Sequence, residues 1–201
     1  MTVKDFGQKK ILLWQGSKKR TIRRIATQLG RLSRFAGDLI VPCWSVLHHL
    51  VACAEMADSI LIRKPAGYRN TIVFYALTHD LDEAWSNDIP TYFKNDQNRS
   101  DQKIVDINIY SSFGFPPLEG NYKKIVKEID LKIMNAEASL LTPKEDWEPT
   151  VTFRNDEERQ GYEATVMSVH ASWPSPLHCN IDTAALVEEY LRMLEAAYRE
   201  L

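Results

Sequence analysis

Between Thr21 and Phe35 the apolar residues Ile22, Ile25, Ala26, Leu29 and Leu32 recur every three or four positions, with basic residues mostly between them. That spacing predicts a helix with one buried face. A break around Gly37 and Pro42 separates it from a second helix, about Ser45 to Ile62. This one is apolar on most sides (Val46, Leu47, Leu50, Val51, Ala52, Ala54, Met56, Ala57), the mark of a central element. A third helix is predicted from about Tyr68 to Trp85, apolar until Thr78, where His79-Asp80 interrupts it. Residues 86 to 117 carry Asn87-Asp88, Pro90, Asn95 to Asn98 and Phe113-Gly114-Phe115-Pro116-Pro117, which is loop chemistry with room for one short helix or strand. A long helix from about Tyr122 to Leu141 follows, with Ile125, Ile129, Leu131, Ile133, Met134 and Ala138 as its buried stripe and Pro143 beyond its end. The stretch 142 to 178 is polar; the alternation of Val151, Phe153 and later Val166, Val169 predicts at most a minor strand. Asp182 reads as the cap of a last amphipathic helix to Leu201, with Leu186, Tyr190, Leu194 and Ala197 on one face.

The expected fold is therefore mainly α, one domain over 1–201, with no repeat or linker that divides it. Apolar residues at 44% and charged residues at 26% exclude wholesale disorder and a fibrous architecture. No apolar run approaches the roughly 20 residues of a membrane span, and the opening residues lack a signal-peptide core. Cys43, Cys53 and Cys179 are odd in number, widely spaced and without a CxxC pair. Free structural thiols in a reducing cytoplasm are expected from that pattern.

The net charge of −2 conceals a division. Residues 1–34 carry ten Lys or Arg and one acid, Asp5, a local balance of +9; the remainder carries fifteen against twenty-six, or −11. The basic segment is expected to meet something anionic: a phosphate, a nucleic acid or the protein's own acidic face.

Acids and histidines inside apolar helices cost free energy unless they are paired or bind a metal. Three helices carry such exceptions: His48-His49 in the second, His79-Asp80 at the end of the third, and Asp130 between Ile129 and Leu131 in the fourth. A single buried histidine is usually a satisfied core residue. Two imidazoles and two carboxylates from three helices make a site for one divalent transition metal with positions left for water. Glu83 lies four residues after His79, on the same face if the helix continues, and Asp88 would stand at the mouth. Carboxylates so placed can orient an attacking water or take its proton. His170, His178 and Cys179 fit no metal template and read as surface and core residues. Trp44, Trp85 and Tyr92 adjoin these positions and either stack on a base or fill core.

These residues carry a family resemblance. His49, His79-Asp80 and Asp130 resemble the H…HD…D pattern of the HD-domain phosphohydrolases. The run His79-Asp80-Leu81-Asp82-Glu83 through Asp88-Ile89-Pro90 to Lys94 is similar to the HD-x-x-E-x-x-x-G-D-[IL]-P-x-x-x-K block of the 5′-deoxynucleotidase (YfbR-like) branch. Ser45-Val46-Leu47-His48-His49 is similar to that branch's S/N-V-A-x-H segment, and Arg34-Phe35 to the R-[FW] pair before it. Asp130 with Glu137 and Trp147-Glu148-Pro149 resembles phage-encoded members, which include the dATP triphosphohydrolases of phages that replace adenine in their DNA.

The resemblance spans about residues 21 to 150 and implies an HD-domain helical bundle, the rest being a small irregular C-terminal extension that ends in a helix. It implies a metal ion (cobalt, manganese, zinc or magnesium) held by His49, His79, Asp80 and Asp130, with Glu83 and Asp88 as catalytic carboxylates. It also implies that Arg34 contacts phosphate or sugar, that Phe35 packs on the nucleoside and that Lys94 lies within reach of phosphate. Asn87 stands where the branch has glycine, Tyr92 where proline is frequent, and Leu50 where a small residue is usual.

The expected activity is hydrolysis of free 2′-deoxynucleotides by a homo-oligomer in the cytoplasm (the host's, if phage-encoded), without a membrane. A deoxynucleoside triphosphate, dATP first, would give deoxynucleoside and triphosphate; a monophosphate substrate would make it a 5′-deoxynucleotidase. The competing class is a non-enzymatic nucleic-acid-binding protein that uses Lys18-Lys19-Arg20 through Arg24. The acidic remainder and the absence of a glycine-aromatic RNA motif weigh against it. A pure scaffold would leave the buried acids unexplained.

Overall fold

The segment with the fewest polar residues lies at the centre of the fold. The computed structural model describes residues 18–35, 39, 44–87, 95–115, 117–143, 152–172 and 183–199, the first three by their backbone alone. Its helices are α1 (Lys18–Leu29), α2 (Val46–Ile60), α3 (Ala66–Thr78), the single turn α4 (Glu83–Ser86), α5 (Asp96–Phe113), α6 (Gly120–Leu141), α7 (Asp156–Ser172) and α8 (Thr183–Arg199). The mainly α expectation holds. Among the described residues the one β feature is an isolated bridge between Ser33 and Ser45. No helix among them is long and apolar enough to cross a membrane.

α2 packs against α1, α3, α6, α7 and α8, and Val46 through Ala54 are buried without a break. An all-round apolar helix must find neighbours on every side, and this one does. Ser45 caps it: the backbone N–H of Ser45 donates to His48 Nδ1 at 3.1 Å, and Ser45 Oγ lies 2.7 Å from the same ring nitrogen. That reciprocal box occupies His48 at the helix entrance. α1 crosses α2 beside α8, and Gly30 allows the approach. A Cβ on Gly30 would stand 3.2 Å from Thr183 Cγ2 and 3.3 Å from the Ala26 carbonyl oxygen, tighter than ordinary side-chain contact.

Two segments depart from the sequence reading. Within 86–117, expected to be mostly loop, α5 occupies eighteen residues. The Asn95–Asn98 cluster that reads as loop is its capping box, with Asn98 N–H donating to Asn95 Oδ1 at 2.8 Å. Gly114, at φ +67°, ends the helix in the left-handed conformation. Val105, Ile109, Tyr110 and Phe113 form its buried stripe. The 142–178 stretch likewise contains α7 rather than a minor strand: Val166 and Val169 lie three apart on the buried face of a helix, not two apart on a strand. α7 packs on α6 and α2, and α8 on α1, α3 and α2, so the described C-terminal residues 156–172 and 183–199 are helical and built into the core, where an irregular extension was expected. Tyr190 of α8, fully buried, donates its hydroxyl to the Leu77 carbonyl at 2.9 Å.

A buried cation joins α6 to α7. Lys132 is 4% exposed, and its Nζ donates to Glu128 Oε1 and Glu158 Oε1 at 2.7 Å each. Hydrogen bonds from Lys132 are the main reason that both carboxyls lie below the ordinary glutamate range. A depressed folded pKa gives stability that is complete above the unfolded value, about 4.3, and is lost as pH falls through the folded one. Amide exchange along α7 is therefore expected to accelerate below about pH 4, and Lys132→Met should flatten that dependence. An unchanged pH profile in the variant would exclude Lys132 as the tie.

The charge division has a partial structural answer. Arg23 of α1 pairs with Glu188 of α8, so one of the basic charges meets the protein's own acidic C-terminal half. Both partners are exposed, so water and salt screen the pair.

Candidate metal centre

His49 sits one turn into α2 with its ring fully buried. His79 is the C-cap residue of α3, and Asp80 follows on the turn that ends it. Asp130 projects from the middle of α6. The fold brings these four together. His49 Nε2 lies 3.3 Å from Asp130 Oδ1 and 3.9 Å from Asp80 Oδ2, while His79 Nε2 lies 3.4 Å from Asp80 Oδ2 and 3.8 Å from Asp130 Oδ1. Donors held about 2.1 Å from one ion stand about 3.0 Å apart at octahedral and about 3.4 Å apart at tetrahedral angles. The observed spacings, 3.3 to 3.9 Å, are slightly wider and suit a single divalent cation.

Both rings are turned for that purpose by their other nitrogen. His49 Nδ1–H donates to Glu137 Oε1 at 2.8 Å, and His79 Nδ1–H to the Ala76 carbonyl at 2.9 Å. An ionised carboxylate and a carbonyl can only accept, so each proton is fixed on Nδ1 and each Nε2 faces the centre. His79 Nε2 has no hydrogen-bond partner, although its side chain is 9% exposed. A buried imidazole nitrogen among carboxylate oxygens has the chemistry to join them in holding a cation.

Glu137, two turns beyond Asp130 and fully buried, gathers the supporting groups. Its Oε1 also accepts from Trp44 Nε1 at 2.9 Å, and its Oε2 lies 3.1 Å from Arg34 Nε. Burial opposes its charge, but His49 and Arg34 together hold the carboxyl below its usual range. Asp130 is likewise held well down against burial by the two imidazoles beside it, His49 first and His79 second. Lys127 takes the outer oxygen, Asp130 Oδ2, at 2.7 Å, so that Oδ1 faces the imidazoles. For His49, burial and the Arg34 charge press the pKa down, and Glu137 and Asp130 override them to raise it. For His79, burial is again opposed, here by Asp80 and Asp130, with the same net direction.

The remaining expected residues divide into three groups. Arg34 is buried, with Nη1 4.0 Å from Asp80 Oδ2, so its guanidinium stands at the edge of the donor set. Phe35, at φ +54°, lies under that guanidinium at 5.5 Å. Glu83 is buried and opens α4, one turn after Asp80, but the helix does not run on to it. α3 ends at Thr78, and residues 79–82 form turns before α4 begins. Asn87 has φ +65° and ψ 164°, a region nearly reserved for glycine rather than the left-handed basin that asparagine tolerates. Asp88, Lys94, Tyr92, Trp147 to Pro149, Cys43, His178, Cys179 and Asp182 lie outside the described residues.

Trp44 cannot stack on a base from its present position: it is fully buried, packed on His48 at 4.9 Å and bonded to Glu137. Lys127, Asp106 and Cys53 escaped the sequence reading as parts of this site, and Glu137 entered it only through the family resemblance. Glu137 and Lys127 lie at helical spacing from Asp130, seven after and three before. Asp106 of α5 is close enough to feel Asp80; burial first, and that like charge second, push its carboxyl up to about 6. Cys53 follows His49 by one turn, and donor atoms of His49, Cys53 and His79 all lie within 4.8 Å of one another.

No family model matches the chain. Over 100 residues it is 34% identical to the uncharacterized protein YfdR of Escherichia coli (strain K12), a segment that covers 48% of this chain and 49% of that protein. The match thus spans about half the length of the relative.

Proposed function

We propose that this chain is a divalent-metal-dependent HD-domain phosphohydrolase of free 2′-deoxynucleotides. The observation that supports it most is the convergence of His49, His79, Asp80 and Asp130, with both Nδ1 protons tied back so that both Nε2 atoms face the carboxylates. A bound divalent ion supplies Lewis acidity toward a phosphoryl oxygen and eases deprotonation of water. The chain's own residues do the rest. Arg34, oriented by Glu137, offers positive charge beside Asp80, where an anionic phosphoryl group would lie. Glu83, buried one turn after Asp80, is the carboxylate we assign to orient the attacking water and accept its proton. Attack at phosphorus breaks its bond to the 5′ oxygen, and that oxygen leaves with a proton as the deoxynucleoside hydroxyl. With a triphosphate substrate the other product is inorganic triphosphate; with a monophosphate it is phosphate. The strongly basic segment before Arg34 favours the more anionic triphosphate, and the phage-like Asp130–Glu137 pair favours dATP.

The test is a scan of deoxynucleoside tri- and monophosphates with Co²⁺, Mn²⁺, Zn²⁺ and Mg²⁺, with nucleoside, phosphate and triphosphate resolved by chromatography. Deoxyadenosine and triphosphate from dATP are expected, abolished by a chelator and restored by added metal. Deoxynucleoside and phosphate from monophosphates alone would make the enzyme a 5′-deoxynucleotidase. No product from any pair would sink the enzymatic reading.

A further inference from the structure

We infer that Cys53 is a sulfur ligand of the ion proposed above, which makes the centre selective for zinc- or cobalt-like metals over magnesium and manganese. The inference rests on the metal-dependent reading but adds to it a residue outside the H…HD…D set. Cys53 lies four residues after His49 on α2, hence on the same face one turn later. Its Sγ is 3.5 Å from His49 Nε2. A nitrogen about 2.05 Å and a sulfur about 2.3 Å from one ion stand about 3.5 Å apart at the tetrahedral angle.

The second observation is His79. Its side chain is 9% exposed, its Nε2 lacks a hydrogen bond, and it belongs with Cys53 and His49 to a group of donors within 4.8 Å of one another. Asp130 still offers Oδ1 to the centre, since Lys127 takes Oδ2 at 2.7 Å. To that oxygen the His-Cys-His set adds two imidazole nitrogens and a soft sulfur, donors that magnesium and manganese bind poorly and that zinc and cobalt bind well.

The experiment is a cobalt titration of the metal-free full chain, followed by absorption, in a C43S/C179S background where Cys53 is the one thiol. The expected result is a sulfur-to-cobalt charge-transfer band in the near ultraviolet that rises with the visible bands and saturates at one equivalent. Adding C53S, or C53A where serine disturbs folding, should remove the near-ultraviolet band and leave the visible ones. It should also lower zinc affinity at least about tenfold while leaving manganese affinity within twofold, since only the softer ion loses a preferred donor. Visible bands without the charge-transfer band would overturn the role of Cys53 and leave the metal centre standing. No cobalt spectrum at all would overturn both. Because the band is read before Cys53 is altered, a variant that fails to fold does not remove the test.

Discussion

His79→Ala is expected to abolish deoxynucleotide hydrolysis and to weaken Co²⁺ or Mn²⁺ binding by more than about 100-fold, the upper end of what loss of a mere supporting residue costs. His79 is the informative residue to remove because its Nε2 has no hydrogen-bond partner and its Nδ1 bonds a carbonyl of its own helix end. Asp130, 3.8 Å from that Nε2, keeps His49 at 3.3 Å and Lys127 at 2.7 Å when the imidazole is gone. Metal-free stability should fall by about 1–3 kcal/mol, the cost of leaving a buried polar group short of one partner. Calorimetric titration with the metal, beside thermal melts in chelator, separates the two effects. A variant that binds metal as tightly as the parent would remove His79 from the centre.

Glu137→Ala should behave in the opposite way, as a stability lesion first. Glu137 is fully buried and is the common acceptor for the His49 ring and the Trp44 indole, as well as the counter-charge at 3.1 Å from Arg34. Removing one partner from a buried ionic cluster costs about 3–5 kcal/mol, because the guanidinium stays buried without its carboxylate. For a chain of this length that is a fall in melting temperature on the order of 10 °C. Glu137→Gln keeps an acceptor for His49 Nδ1–H but not the charge, and should recover part of the stability. Metal affinity in the Gln variant should fall by about 10- to 100-fold through loosened imidazole orientation. Equal melting curves for parent and Ala variant would show that the cluster is not what holds α1's end, α2 and α6 in register.

How much of this could be read from the sequence depended on whether neighbours or partners carried the signal. α2, α3 and α6 were legible because their apolar residues recur at helical spacing and nothing inside them competes. α5 was hidden by its own cap: Asn95 and Asn98 are loop formers in composition, yet they satisfy the first amides of an eighteen-residue helix. α7 was hidden because most of its surface is polar and just three residues, Tyr162, Val166 and Val169, are buried.

In the site, the four donors stood out as polar residues in apolar surroundings, and their convergence followed. The continuation of α3 to Glu83 did not, because the chain turns at 79–82. Glu137 was visible only through the family resemblance, and its function as the acceptor behind His49 depends on a packing of α2 against α6 that spacing within one helix cannot show. Cys53 looked like a small core residue, and by burial it is one. Its meaning comes from what lies 3.5 Å away.

The turn at 79–82 has a consequence in time rather than in energy. Of the four carboxylate and imidazole side chains, three are 12% exposed or less, while Asp80 is 23% exposed and sits on that turn between two helices. His49, in the middle of the packed bundle, can move only with α2. An ion held there would have one short segment to open before it could leave or be replaced. Its residence would thus follow the local opening rate of that turn, orders of magnitude faster than global unfolding, yet slow against exchange at an open surface.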